Sequence, residues 1–170
     1  MIKGYRKTGG GKNLKGKKQK KLIERRLPDI FLQPDILEKM PDYITRLVPQ
    51  LNGAYDYEWY EGAAIMLRRI METLIIELYT RRGWQQDVQD SASNEFLMLK
   101  GLIDRLNGDA RLRMQRRTID GLSKVKELGD TAAHDFRIRI RKSDLDRIQS
   151  SVRFTCERLV FTIGESAPTV

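Results

Sequence analysis

The chain has one cysteine, Cys156, and one histidine, His134, among its 170 residues. One cysteine excludes an intrachain disulfide and any site built from clustered thiolates. With no second His or Cys at ligand spacing, neither a metal nor a metal-dependent cofactor is expected. No stretch approaches the roughly 18 apolar residues of a membrane span. The apolar run 63–67 is followed at once by Arg68 and Arg69. The N-terminus lacks the apolar core of a secretory signal. These absences together favour a reducing cytoplasm, with no membrane contact.

Acid is nearly missing from the first segment. Residues 1–27 hold eleven Lys and Arg against a single acid, Glu24, which is +10, whereas the whole chain is +9. Residues 28–170 therefore carry about −1, and the basic surplus belongs entirely to this arm. Its cations are Lys3, Arg6, Lys7, Lys12, Lys15, Lys17, Lys18, Lys20, Lys21, Arg25 and Arg26. Residues 1–21 contain five glycines and few apolar side chains, too little to offset the entropy of ordering, so a disordered arm is expected. Lysines so placed neutralise phosphates with little sequence preference, which points to RNA or DNA as the partner. An acidic protein surface fits the same charge. The string TGGGKN is no phosphate loop: it lacks the first glycine, and Asn13 stands where Ser or Thr should follow Lys12.

Three of the five prolines, Pro28, Pro34 and Pro41, punctuate residues 28–42, with Leu27, Ile30, Phe31, Leu32, Ile36, Leu37 and Met40 around them. That pattern predicts an extended strap lying on its own core, with short helical turns at most. From residue 43 the apolar period becomes helical, and residues 43–170 are expected to form one domain. Helices are predicted around 43–51, with a kink at Pro49, and then over 59–79, 96–106, 114–131 and 143–164. The last opens on Ser143 as its N-cap. Ser91, Ser93 and Asn94 offer caps for the third. Short connections favour an all-α antiparallel bundle of four to five helices. Residues 136–142, FRIRIRK, alternate with period two and predict an extended link with its arginines on one side.

His134 closes the fourth helix. If that helix persists, Asp130 lies four residues earlier on the same face, where a carboxylate orients an imidazole. Arg137, Arg139 and Arg141 follow. Such a set would suit phosphodiester chemistry: an acid or base near neutral pH, a carboxylate to hold it, and cations for developing charge. A histidine that merely caps the last helix carbonyls fits equally well.

At this segment the chain resembles the DUF4145 family of the HEPN (higher eukaryotes and prokaryotes nucleotide-binding) superfamily. The likeness runs over residues 55–165. It is carried by AAIMLRRIMETLIIEL, with Arg68, Arg69 and Glu72, then by LIDRL, KELGDTAAHD and a final helix opening at SDLD. The resemblance implies a dimerising helical bundle in prokaryotic defence or nucleic-acid processing, often inside a larger complex. Many of its members are metal-independent ribonucleases in which an Arg precedes the His by four to six intervening residues. Here those positions hold Gly129, Leu128 and Glu127, and the nearest cation is Lys126. The family's cation is missing from its place. The reading favoured is therefore a non-catalytic, dimeric HEPN-like module that binds nucleic acid. The alternatives are a ribonuclease using His134 with Asp130, Arg137 and Arg139, and a protein-interaction subunit whose arm grips an acidic protein.

Arg68, Arg69, Glu72 and Lys126 form a candidate groove beside His134. An Arg68–Glu72 pair within the helix is the simpler reading. The cluster Tyr55, Tyr57, Trp59 and Tyr60 reads as packing at a helix corner. Arg105, Arg111, Arg113, Arg116 and Arg117 read as solvated helix ends.

Overall fold

The computed structural model describes residues 27–135 and 137–165. The basic arm lies outside them, except for Leu27. Five helices follow the strap: α1 (Leu47–Asp56), α2 (Tyr60–Arg81), α3 (Leu99–Gly108), α4 (Arg116–His134) and α5 (Lys142–Gly164). Single turns at Pro34–Leu37, Asp42–Thr45 and Gln85–Val88 join them. Among the described residues there is no strand, only an isolated antiparallel bridge between Gln89 and Phe96. No helix among them is long and apolar enough to cross a membrane. The chain is an all-α bundle.

The central helix is α2, which packs against all four others. Its apolar residues are spread around the cylinder, and Leu67, Ile70, Met71, Leu74 and Ile75 are fully buried. A helix apolar on most sides has to sit inside the bundle rather than on its surface. On α4 and α5, numbering runs in opposite senses. Gly121 lies against Thr155, and Lys124 reaches Ser151. The end of α2 meets the end of α5, where Arg82 Nη2 donates to the Thr162 carbonyl at 2.7 Å. Thus α2 and α5 run parallel, and α4 runs antiparallel to both.

The strap covers its own core. Phe31, Leu32, Leu37 and Met40 are buried. Asn52 binds its backbone like a neighbouring strand: Oδ1 accepts from Phe31 N–H at 3.0 Å and Leu32 N–H at 2.9 Å, and Nδ2 donates to the Leu32 carbonyl at 2.8 Å. Gln149 on α5 donates to the Phe31 carbonyl at 2.8 Å.

Several helix boundaries differ from the sequence reading, each for a local reason. Pro49 does not kink a helix. It is the third residue of α1, where a missing N–H costs little, and the break falls earlier at Arg46. The third helix starts at Leu99, because Ser91, Ser93 and Asn94 are used in a turn around Asp90. There Asp90 Oδ1 accepts from Ala92 and Ser93 N–H. Ser143 is not the cap of α5. Arg141 holds that position, and Asp144 reaches back to accept its N–H at 2.9 Å.

Candidate functional site

The fourth helix persists through His134, its last residue. Asp130 does stand one turn earlier, yet its carboxylate is already occupied. Arg68 Nη1 on α2 donates to Oδ1, and Lys126 Nζ donates to Oδ2 at 2.5 Å. Arg68 is itself held by Glu72, with Nε 3.0 Å from Oε1. The Lys126 hydrogen bond, then the charges of Arg68, Lys126 and His134, hold the Asp130 carboxyl below its usual range despite some burial. Among the described residues no hydrogen bond fixes the His134 imidazole, which is exposed.

His134, Arg68, Arg69 and Glu72 line one open cavity of about 300 Å³, whose floor includes Gly129 and Ala133. Three of the four groove candidates, Arg68, Arg69 and Glu72, thus share a cavity with His134. Arg69 is exposed and makes no ion pair among the described residues. At the rim stand Ile65, 43% exposed, and Met98, 68% exposed. Lys126 belongs to the ion cluster behind the cavity and does not line it.

Gly129 packs directly against the Arg68 side chain. A Cβ built there would lie 2.9 Å from the Arg68 Cβ and 3.1 Å from its Cδ. The helix pair is too close at this level for a side chain on α4. The guanidinium beside Asp130 is that of Arg68 on α2.

Arg137 and Arg139 do not line the His134 cavity. They open onto a larger one, about 910 Å³, together with Arg141, Lys142 and Arg147. The wall opposite carries Glu58, Tyr60 and Glu61 from the corner between α1 and α2. The link turns at Arg137, whose N–H donates to Asp135 Oδ1 at 3.0 Å, and is extended at Arg141 (φ −110°, ψ 161°). Ile140 is buried beneath it while Arg137, Arg139 and Arg141 are exposed. Lys142 is engaged: it donates to the Tyr55 hydroxyl at 2.5 Å and approaches Asp146 at 3.4 Å. The Tyr55 hydroxyl contact, above all, raises its pKa. Arg147 pairs with Asp144 at 3.7 Å. Among the described residues, no ion pair crosses from Arg139 or Arg141 to Glu58 or Glu61.

The aromatic corner corrects the packing expectation in part. Tyr55 is buried and Tyr60 packs edge-on against it at 6.1 Å. Tyr57 and Trp59 do not pack inward; they are 71% and 68% exposed.

The second basic cluster is mostly structural. Arg111 binds Asp87 and Asp109, each at 2.6 Å, and lies 3.8 Å from the Trp84 ring centre. Arg117 covers Phe154 at 4.1 Å. No group of three or more His, Cys, Asp or Glu among the described residues converges as a metal site would require. The single thiol, Cys156, is fully buried, and burial pushes it up to about 12. No protein-family model, no curated protein and no solved structure matches this chain.

Proposed function

We propose that the chain is a HEPN-like module that binds nucleic acid without cleaving it. It acts as a cytoplasmic homodimer within a prokaryotic defence or nucleic-acid-processing assembly. The observation that carries this reading is the commitment of Asp130 to Arg68 and Lys126. General acid–base catalysis asks for an imidazole held in one tautomer and one direction. Here the nearest carboxylate is spent on two cations, and the imidazole is left unanchored. Binding is supported by the +10 arm, whose cations release counterions from phosphates. Dimerisation is supported by Ile65 and Met98, two exposed apolar side chains at the rim of the His134 cavity.

A ribonuclease is the second reading, because Arg69 and His134 share one cavity and Arg69 has no ion-pair partner among the described residues. Single-stranded and structured RNA, incubated with the full chain in EDTA, separates the two. Salt-dependent binding without cleavage is expected. Cleavage that disappears in His134→Ala would establish the enzyme instead. If removing residues 1–26 leaves affinity and its salt slope untouched, the arm is not the binding element.

A further inference from the structure

Two aromatic rings stand in solvent where α1 turns into α2. Tyr57 and Trp59 have ring centres 5.9 Å apart, tilted 33°. The turn that presents them is closed by backbone hydrogen bonds. Glu58 takes a left-handed backbone (φ 61°), its N–H donates to the Tyr55 carbonyl at 3.2 Å, and the Trp59 N–H donates to the Ala54 carbonyl at 2.8 Å. This is a Schellman cap.

The same cap closes α2. Gly83 is left-handed there (φ 72°), and the Trp84 N–H donates to the Tyr79 carbonyl at 2.9 Å. Trp84, at the position equivalent to Trp59, folds onto Tyr79 with ring centres 6.4 Å apart and is partly buried. So the cap does not force a tryptophan outward. Trp59 remains in water although an inward arrangement exists elsewhere in this chain.

The 910 Å³ cavity adjoins this turn: Glu58 between the rings and Tyr60 after them line it, while the rings themselves stand outside it. Its other wall is the run Arg137, Arg139 and Arg141. We propose that this cavity and the Tyr57–Trp59 ledge form a groove for single-stranded nucleic acid, with phosphates along the arginines and unpaired bases stacked on the rings. The proposal deepens the nucleic-acid-binding reading above and rests on it.

The chemistry favours this occupant over others. Arginine forks suit phosphate oxygens, and exposed aromatic faces take any unpaired base. A duplex keeps its base faces internal and offers the rings nothing. Glu58 and Glu61 repel a phosphate or an acidic peptide from the far wall but accept hydrogen bonds from base amino groups. The groove is therefore polarised, backbone on one side and bases on the other.

The test uses the full chain and a fluorescent mixed-sequence RNA, single-stranded or annealed to its complement, followed by anisotropy. The double variant Tyr57→Leu, Trp59→Leu should lower single-strand affinity by about tenfold or more, the loss expected when stacking is removed. Its affinity for the duplex should not change. Trp59→Phe, which keeps a ring, should retain most of the binding. Arg139→Glu should weaken single-strand binding and flatten its salt dependence. These side chains are exposed, and unchanged circular dichroism melts will confirm folding. If the double variant binds single strands as the parent does, the groove is overturned while the arm reading stands. If the parent binds no nucleic acid at all, both fall. If a polyglutamate peptide competes through Arg139 but not through Trp59, the groove serves an acidic protein and the proposal is overturned.

Discussion

Gly121 on α4 faces Thr155 on α5 so closely that a Cβ at 121 would come within 2.1 Å of the threonine Oγ1 and 3.3 Å of the Ser151 carbonyl. The threonine cannot simply yield, because Oγ1 donates to that carbonyl at 2.8 Å. Gly121→Ala should therefore destabilise the bundle by about 1–3 kcal/mol, the usual cost of overpacking, even though alanine is the better helix former. Chemical denaturation measures this. Adding Thr155→Ala should recover part of the loss, and a double-mutant cycle with no coupling would refute the close contact as its cause.

Gly129 applies the same logic to the site. Installing an arginine here, as Gly129→Arg, should not create an enzyme. It should unfold or loosen the bundle, because the side chain of Arg68 already occupies that space. Glu127→Arg, at an exposed position three residues from Asp130, should be tolerated within about 0.5 kcal/mol. It therefore offers a folded background in which to look for gained RNA cleavage in EDTA.

Asp130 makes a pH prediction. Its folded carboxyl is held low, first by the Lys126 hydrogen bond. A group depressed on folding stabilises the protein at pH values above its unfolded pKa, near 4, and that contribution is lost as pH falls through the lower folded value. The stability advantage of the parent over Asp130→Asn should thus be present at neutral pH and vanish in strong acid. An advantage that is constant across the acid range would show that the ion pairs do not supply it.

How much of this was legible in the sequence follows from which signals are local. The long helix α2 could be read from Ala63 to Leu78, because a repeating apolar face is written in the residues themselves. The strap could be read from its prolines and the apolar residues between them. Helix starts were less legible: Ser143 looks like a cap, but Asp144 does the capping by reaching backwards. Least legible was the site. The sequence places Asp130 four residues before His134, but nothing local says that Arg68, 62 residues away, will claim the carboxylate. Likewise Arg137 and Arg139 neighbour His134 in sequence yet face the opposite wall from Glu58 and Glu61.

Tyr43 and Glu77 give an alkaline counterpart. Glu77 is buried, accepting from the Tyr43 hydroxyl and from Arg81 Nε at 2.5 Å. Burial of the hydroxyl, then the hydrogen bond and charge of Glu77, push the phenol up to about 12 from 10.0. A group raised on folding contributes below its unfolded pKa and loses that contribution as pH rises through the folded one. Tyr43→Phe should be less stable than the parent at pH 7, since Glu77 loses a donor. The gap should close between pH 10 and about 12. Urea melts of both chains across that window decide it, because the other tyrosines titrate alike in each.

The two Schellman caps predict opposite outcomes for exchanging glycine. Left-handed backbone costs a residue with a Cβ roughly 1–2 kcal/mol, and Glu58 bears that cost at φ 61° while Gly83 avoids it at φ 72°. Glu58→Gly should therefore stabilise the bundle by about 1 kcal/mol, and Gly83→Ala should destabilise it by a similar amount. No atom lies within 4 Å of a Cβ at position 83, so the second loss would report backbone strain alone. Thermal melts of both variants measure the pair. If Glu58→Gly stabilises the fold while leaving single-strand affinity intact, the carboxylate contributes nothing to the groove. If affinity falls as stability rises, the Glu58 side chain contributes to binding from a strained backbone position.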